Sequence, residues 1–171
     1  RIYHMKKGIY FWGSILTGTV VFLGFNILRT KEKLYYVPQN DMYIKIINPP
    51  LDKYGYIVLA QDSVILLSDE IDYIKVCKSE TSSIDIICNP NDKKQVYIND
   101  RANSSTINSV KYEIRKISFK DPLLFTEEKI AGISTYLLKP PYFDINFDGY
   151  FEEVYISINS YESPEKLNTI R

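Results

Sequence analysis

Hydrophobic residues alternate with polar ones over most of the chain beyond residue 34. Short segments rich in Ile, Val, Tyr and Phe are separated by clusters of Asn, Asp, Pro and Ser, a pattern typical of strands joined by turns. The predicted strands cover residues 42–47, 54–59, 64–67, 73–77, 84–88, 95–98, 110–119 and 153–158. We therefore predict a mainly β fold, an antiparallel β-sandwich or small barrel.

One segment of this region has helical spacing. Ile130, Ile133 and Leu137 are spaced as i, i+3 and i+7, and Thr126 is a suitable N-cap residue. This spacing predicts one short helix over residues 126–138.

The N-terminal part of the chain has a different pattern. Residues 8–28 form an uncharged segment of 21 residues. As a helix rising about 1.5 Å per residue, such a segment would cover about 30 Å, the thickness of a bilayer's hydrocarbon core. It runs into Leu28-Arg29 without the small residues of a cleavage site, so we expect an uncleaved, single transmembrane helix. The predicted division is an anchor over residues 1–33 and a β-rich domain over residues 34–171.

The predicted span also contains small residues at helical spacing. Two such pairs, Gly13 with Thr17 and Ser14 with Gly18, are each four residues apart. Small residues at this spacing let two helix backbones approach closely, which favours a membrane partner or self-association. Basic residues flank the span on both sides, so their count does not decide the orientation of the helix. A short N-terminal tail and a long body favour an extracytoplasmic body, in a periplasm, lumen or intermembrane space.

The charge of the chain is divided unevenly. Residues 1–33 contain six basic residues and one acidic residue, a net charge of +5, so the remaining 15 basic and 20 acidic residues give the body −5. Nucleic-acid binding requires clustered Lys and Arg. The acidic body therefore argues against a nucleic-acid partner and leaves a membrane and a protein partner.

Two residue types bear on the compartment and on the surface. Cys77 and Cys88 each end a predicted strand, so a disulfide between neighbouring strands is predicted; two buried thiols are the alternative. A bridge would indicate an oxidising compartment. The 15 tyrosines can pack their rings while their hydroxyls stay hydrated, which suits a thin sheet or a recognition surface.

The sequence lacks the residues on which several classes of enzyme depend. The one histidine, His4, precedes the predicted span, so the body has no imidazole for a Ser-His-Asp or Cys-His site. The body's three glycines, Gly55, Gly132 and Gly149, are too widely separated to form a phosphate-binding loop. We therefore expect a non-catalytic domain.

A string of oxygen-bearing side chains near the C-terminus points to Ca²⁺. Residues 144–152 place ligand types at loop positions 1, 3, 5, 7 and 9, with Gly149 at the turn. The five positions are Asp144, Asn146, Asp148, Tyr150 through its carbonyl, and Glu152. The string resembles the EF-hand-like calcium loops of FG-GAP repeats of integrin-type propellers and of dockerins. In those families the residues matching Asp144, Asn146, Asp148 and Glu152 bind calcium, and the resemblance implies a structural calcium site here.

An alternative interpretation of the same string is a plain hairpin. Asp148-Gly149 is a strong signal for a two-residue type I′ turn, which would pair Phe147 with Tyr150. That register sets like charges opposite one another, which is unfavourable.

Three functions follow as hypotheses. The first is a membrane-anchored, non-catalytic binding domain, and the second is an accessory subunit of a multi-subunit, organellar or other, membrane complex. The third is a small glycan hydrolase that uses paired carboxylates such as Asp144 and Glu152.

Overall fold

The computed structural model describes residues 29–63, 65, 67–78, 83–100, 105–118, 120–148, 153–157 and 165–170. The predicted span and its small residues Gly13, Ser14, Thr17 and Gly18 lie outside this part of the chain. Among the residues that are described, none belongs to a helix with the length and apolar character needed to cross a bilayer.

Six of the described strands form sheet A, in the order β14-β1-β2-β3-β4-β7. They are β1 (Lys31–Val37), β2 (Met42–Asn48), β3 (Tyr54–Ala60), β4 (Asp72–Cys77), β7 (Thr106–Asn108) and β14 (Thr169–Ile170). Every neighbouring pair in this sheet is antiparallel.

Another six form sheet B, in the order β13-β12-β11-β5-β6-β8. They are β5 (Ile84–Asn89), β6 (Asp92–Asp100), β8 (Glu113–Lys116), β11 (Phe143–Asp148), β12 (Glu153–Ser157) and β13 (Glu165–Lys166). The β6–β8 pair is parallel, whereas the other pairs of sheet B are antiparallel.

The main core lies between the two sheets, which confirms the sandwich. Its residues come from alternate positions of each strand, because successive side chains of a strand point to opposite faces. Sheet A contributes Ile44, Ile57 and Ile74, and sheet B contributes Ile86, Ile98, Phe143 and Phe147, among others.

The helix predicted over residues 126–138 is wrong. This segment is the hairpin of β9 (Phe125–Ile130) and β10 (Ile133–Leu138), in which Ile130 pairs with Ile133. The two-residue turn has φ of 51° at Ala131 and 82° at Gly132, as a type I′ turn requires. The side chains that suggested a helical stripe belong to two strands, and the base of the hairpin packs through Phe125 and Leu138 on the outer face of sheet B.

This turn allows a direct test. Gly132→Val should lower the free energy of unfolding by about 1–2 kcal/mol, because a side chain with a Cβ resists the left-handed conformation. Ala131→Asn should leave stability unchanged or raise it, since Asn tolerates that region and Asn-Gly favours this turn. Urea unfolding of the full chain in mild detergent measures both variants, and equal effects would contradict the assigned turn.

Two predicted strands are shorter or absent. The strand predicted over 110–119 is reduced to β8, since the backbone N–H groups of Val110, Lys111 and Tyr112 donate instead to the buried carboxylate of Asp72. Ile65 and Leu67 of the strand predicted over 64–67 are not in a strand. Ile65 is buried in a small cluster with Ile47 and Val58, on the outer face of sheet A.

Candidate binding face

The outer face of sheet A carries a concentration of tyrosines. We call this the tyrosine face. Its tyrosines are all half-buried, and they lie on β1 to β4 at positions that alternate with the core residues. They are Tyr36, Tyr43, Tyr54, Tyr56 and Tyr73. The sequence predicted a tyrosine-rich surface as one possibility, and the strand register decides which of the 15 tyrosines form it.

One half of the tyrosine face is built around Lys75. Its Nζ lies 4.1 Å from the ring centroid of Tyr54 and 6.0 Å from that of Tyr56. The rings of Tyr56 and Tyr73 meet edge to face, with centroids 6.0 Å apart. A cation within about 6 Å of an aromatic face is attracted by the ring quadrupole. These contacts hold three rings and one cation as a connected group.

Asp52 fixes the polar edge of this group. Its carboxylate accepts the backbone N–H of Tyr54 at 3.1 Å and the hydroxyl of Tyr56 at 3.2 Å. The hydrogen bond from the Tyr54 N–H is the main cause that lowers the pKa of Asp52. Burial, followed by the bond to Asp52, raises the pKa of Tyr56. The Tyr56 hydroxyl is therefore a protonated and oriented group at neutral pH.

The other half of the face is the pair Tyr36 and Tyr43. These residues are cross-strand partners, and their ring centroids are 4.9 Å apart. The Tyr36 hydroxyl donates to Asp41 at 2.8 Å, which raises the pKa of Tyr36. Between the two halves, Lys45 donates to the carbonyl of Ile65 at 3.0 Å and pairs with Glu32 at 2.9 Å. The β3–β4 connection thus crosses the middle of the face.

Comparison of the chain with family models, with curated proteins and with solved structures finds no match.

Three of the five predicted calcium ligands lie on strand β11. Asp144 and Asn146 are on the outer face of sheet B, and Asp148 is the last residue of the strand. In an extended strand, successive positions on one face are about 7 Å apart, so these residues do not wrap around a point as in a loop. Tyr150 and Glu152 lie outside the described residues. The calcium site and the Asp144–Glu152 carboxylate pair both stay predictions.

The hairpin alternative has the wrong register. Phe147 pairs with Val154 and Asp148 with Glu153, so residues 149–152 connect the strands instead of a two-residue turn. In this register Ile145 also faces Ile156, which places apolar residues opposite one another on the core side.

A buried polar group beside these residues was not foreseen. Asp85 is 2% exposed and accepts hydrogen bonds from the side-chain amides of Asn99, at 2.9 Å, and Asn146. Asn146 is therefore already engaged with a neighbouring strand. The sequence contains no local signal for this contact, because the three residues come from β5, β6 and β11.

Calcium binding can be measured directly. A structural site would raise the melting temperature of the full chain in saturating Ca²⁺ over that in chelator, because a ligand that binds only the folded state stabilises it. Asp148→Asn should then reduce this shift, whereas Asp121→Asn, in a loop of the chain before β9, should not. Within the described residues, no three His, Cys, Asp or Glu side chains come together as a metal site. A melting temperature that is identical with and without Ca²⁺ would contradict the prediction.

The predicted disulfide is absent from the structure, which has Cys77 and Cys88 as thiols. Cys77 is half-buried on the outer side of sheet A, whereas Cys88 is buried in the core on the inner side of sheet B. The two cysteines therefore lie on strands of different sheets and point to different layers. Burial raises the pKa of the Cys88 thiol, so this residue stays protonated and packs as a small apolar group.

Proposed function

We propose that this chain is a single-pass membrane protein whose β-sandwich is an extracytoplasmic, non-catalytic binding domain for a protein partner. The proposal has two parts. Residues 8–28 provide the anchor, on the sequence argument of length and lack of charge. The tyrosine face provides the binding surface, and it is the structural observation that carries the proposal.

The tyrosine face has the chemistry of protein recognition surfaces. Tyrosine is enriched at interfaces because it offers a large ring with only two side-chain torsions to immobilise and a hydroxyl that can pair. Here the hydroxyls of Tyr36 and Tyr56 are already oriented by Asp41 and Asp52. A preorganised surface loses less entropy on binding. Lys75 adds a cation that favours a partner with acidic or carbonyl groups.

The anchor is tested by membrane flotation of the full chain. Val20→Arg with Val21→Arg places two charges in the centre of the predicted span, at a cost of about 2.5–3.5 kcal/mol each on insertion scales. We expect the unmodified chain to float with vesicles and to need detergent for release, and the doubly charged variant to stay in the soluble or aggregated fraction. Flotation of both would contradict an anchor at residues 8–28.

The binding surface is tested by crosslinking from defined positions in native membranes. A photoreactive phenylalanine analogue at Tyr54 or Tyr73 should form adducts with the same protein. The analogue at Glu127, exposed on the β9–β10 hairpin, should not. Adducts common to all three positions, or none from the tyrosine face, would contradict the proposal.

The placement of the body is tested by protease protection. In spheroplasts or in sealed vesicles that expose the extracytoplasmic face, added protease should digest the β-sandwich. A body that resists protease until the membrane is opened would place it on the other side.

The accessory-subunit hypothesis predicts a further property of the same surface. A subunit of a permanent complex should migrate with its companions on native gels in mild detergent. Lys75→Ala should weaken that association, since it removes the cation of the tyrosine face. A chain that migrates alone in the gentlest detergent would favour the free-standing anchor.

A further inference from the structure

We propose that the β2–β3 loop, residues 49–53, rests on the anionic lipid surface from which the chain emerges, with Leu51 in the interface and Lys53 at the phosphates. This inference rests on the proposed function, because it needs the anchor. Beyond the anchor, it gives the chain a second contact with the membrane and fixes how the sandwich is oriented on it.

The register of sheet A places the loop at the membrane end. The predicted span ends at Leu28, and β1 begins at Lys31, whose partner on β2 is Asn48. Three residues of extended chain reach at most about 10 Å. The end of β2, and the loop that follows it directly, therefore lie near the point where the chain leaves the bilayer.

The loop has the composition of an interfacial contact. Leu51 is 83% exposed, more than any other large hydrophobic residue in the described part of the chain. Pro49 and Pro50 precede it, and neither has a backbone N–H that would need a partner at the apolar boundary. An exposed leucine held by prolines costs little to insert and gains from burial among acyl chains.

The loop is fixed in this position by its own contacts. The Lys78 backbone N–H donates to the carbonyl of Lys53 at 2.9 Å, and the Lys78 Nζ donates to the carbonyl of Pro49. Asp52 accepts the N–H of Tyr54 at 3.1 Å. These bonds tie both ends of the loop to the end of β4 and to the start of β3, so Leu51 is presented without further ordering.

The charge at this end of sheet A complements anionic headgroups. Arg29 and Lys31 are exposed at the start of β1 and Lys53 is exposed in the loop, whereas Lys78, just after β4, is half-buried with its Nζ bonded to the carbonyl of Pro49. The loop's own acidic residue, Asp52, is engaged with Tyr54 and Tyr56. Each basic residue close to an anionic bilayer contributes about 1 kcal/mol of attraction, or about fivefold in a binding equilibrium.

The test uses the full chain in vesicles and a matched pair of tryptophan probes. In a Trp12→Phe background, Leu51→Trp is compared with Leu67→Trp. Leu67 is also an exposed leucine in a connection of sheet A, the one that leaves β3 and enters β4 at the end of these strands away from the β2–β3 loop. In vesicles of phosphatidylcholine with phosphatidylglycerol, the tryptophan at position 51 should emit at shorter wavelength and be quenched by brominated lipid. The tryptophan at position 67 should show neither effect.

The role of charge is tested in the same background. Lys53→Gln should lower the ratio of docked to undocked loop about fivefold on anionic vesicles. It should have little effect on vesicles of phosphatidylcholine alone. Lys94→Gln serves as the control and should not change the quenching. Lys94 is exposed near the start of β6, away from the β2–β3 loop.

The outcomes separate the inference from the proposed function. Equal quenching at positions 51 and 67 in a chain that floats with the vesicles would overturn the loop contact and leave the anchor intact. Failure of the Trp12→Phe chain and of the unmodified chain to float would overturn the anchor, and the loop contact with it. Quenching at position 51 that does not depend on phosphatidylglycerol or Lys53 would overturn the proposed headgroup recognition.

Discussion

Asp72→Ala is expected to lower the free energy of unfolding by about 3–5 kcal/mol, because it leaves three backbone donors, two part-buried and one buried, without their acceptor. The Asp72 carboxylate is fully buried and accepts the N–H groups of Val110 at 2.7 Å, Lys111 at 2.9 Å and Tyr112 at 3.0 Å. It joins the start of β4 to the segment that leads into β8. Urea unfolding of the full chain in mild detergent measures the loss.

Two further variants make this prediction specific. Asp72→Asn keeps one acceptor oxygen and should be less destabilising than Asp72→Ala. Asp62→Ala, an exposed residue of the preceding loop, should change stability by less than about 0.5 kcal/mol. Equal losses for Asp72→Ala and Asp62→Ala would mean that the carboxylate does not hold residues 110–112.

Phe147→Ala is expected to cost about 3–5 kcal/mol, as for a large core side chain reduced to alanine. Phe147 is 1% exposed and lies on the inner face of sheet B, opposite Val154. Phe147→Leu should cost only about 1 kcal/mol, because it keeps most of the buried volume. Thermal or urea unfolding measures both.

The same variant distinguishes the two interpretations of residues 144–152. In a calcium loop, Phe147 would occupy an outward position between ligands, and its truncation would have little effect on the apo protein. On strand β11 it fills the core. Leu123→Ala, at a site 59% exposed, is the control for loss of apolar surface outside the core. A Phe147→Ala variant as stable as Leu123→Ala would contradict the strand.

The alternation of apolar residues was sufficient to predict the central strands. β2, β3, β4 and β5 begin and end within one residue of the predicted segments, because each has one face in the core. Their order in the sheets was not predictable, since pairing joins residues far apart in the chain. The contacts of Asp72 with residues 110–112 and of Asp85 with Asn146 are of this kind.

Some local patterns have two interpretations. The acidic residues of β11 alternate with Ile145 and Phe147, so the same string fits a strand with one polar face, and the calcium site that it suggests stays a prediction. β1 was missed because its first half, Lys31-Glu32-Lys33, is charged. Residues 126–138 show helical spacing only because the turn at Ala131 and Gly132 reverses the chain between two strands.

The tyrosine face could be predicted only in outline. An excess of tyrosine indicates that some will be at the surface, but the sequence does not show which rings share a side of a sheet. Tyr56 and Tyr73 meet because β3 and β4 are neighbours in a register that also brings Lys75 beside Tyr54. Candidate surfaces of this type become visible only when the strand register is known.

The pairing of β14 with β1 has a consequence for synthesis of the protein. Leu34, near the start of the body, pairs with Ile170, so the outer edge of β1 is covered by residues that the ribosome adds about 135 positions later. Until then, β1 presents an open hydrogen-bonding edge. A nascent chain stalled before residue 169 would therefore be exposed to strand exchange with a neighbouring copy, because this edge can pair only after residues 169 and 170 have been added.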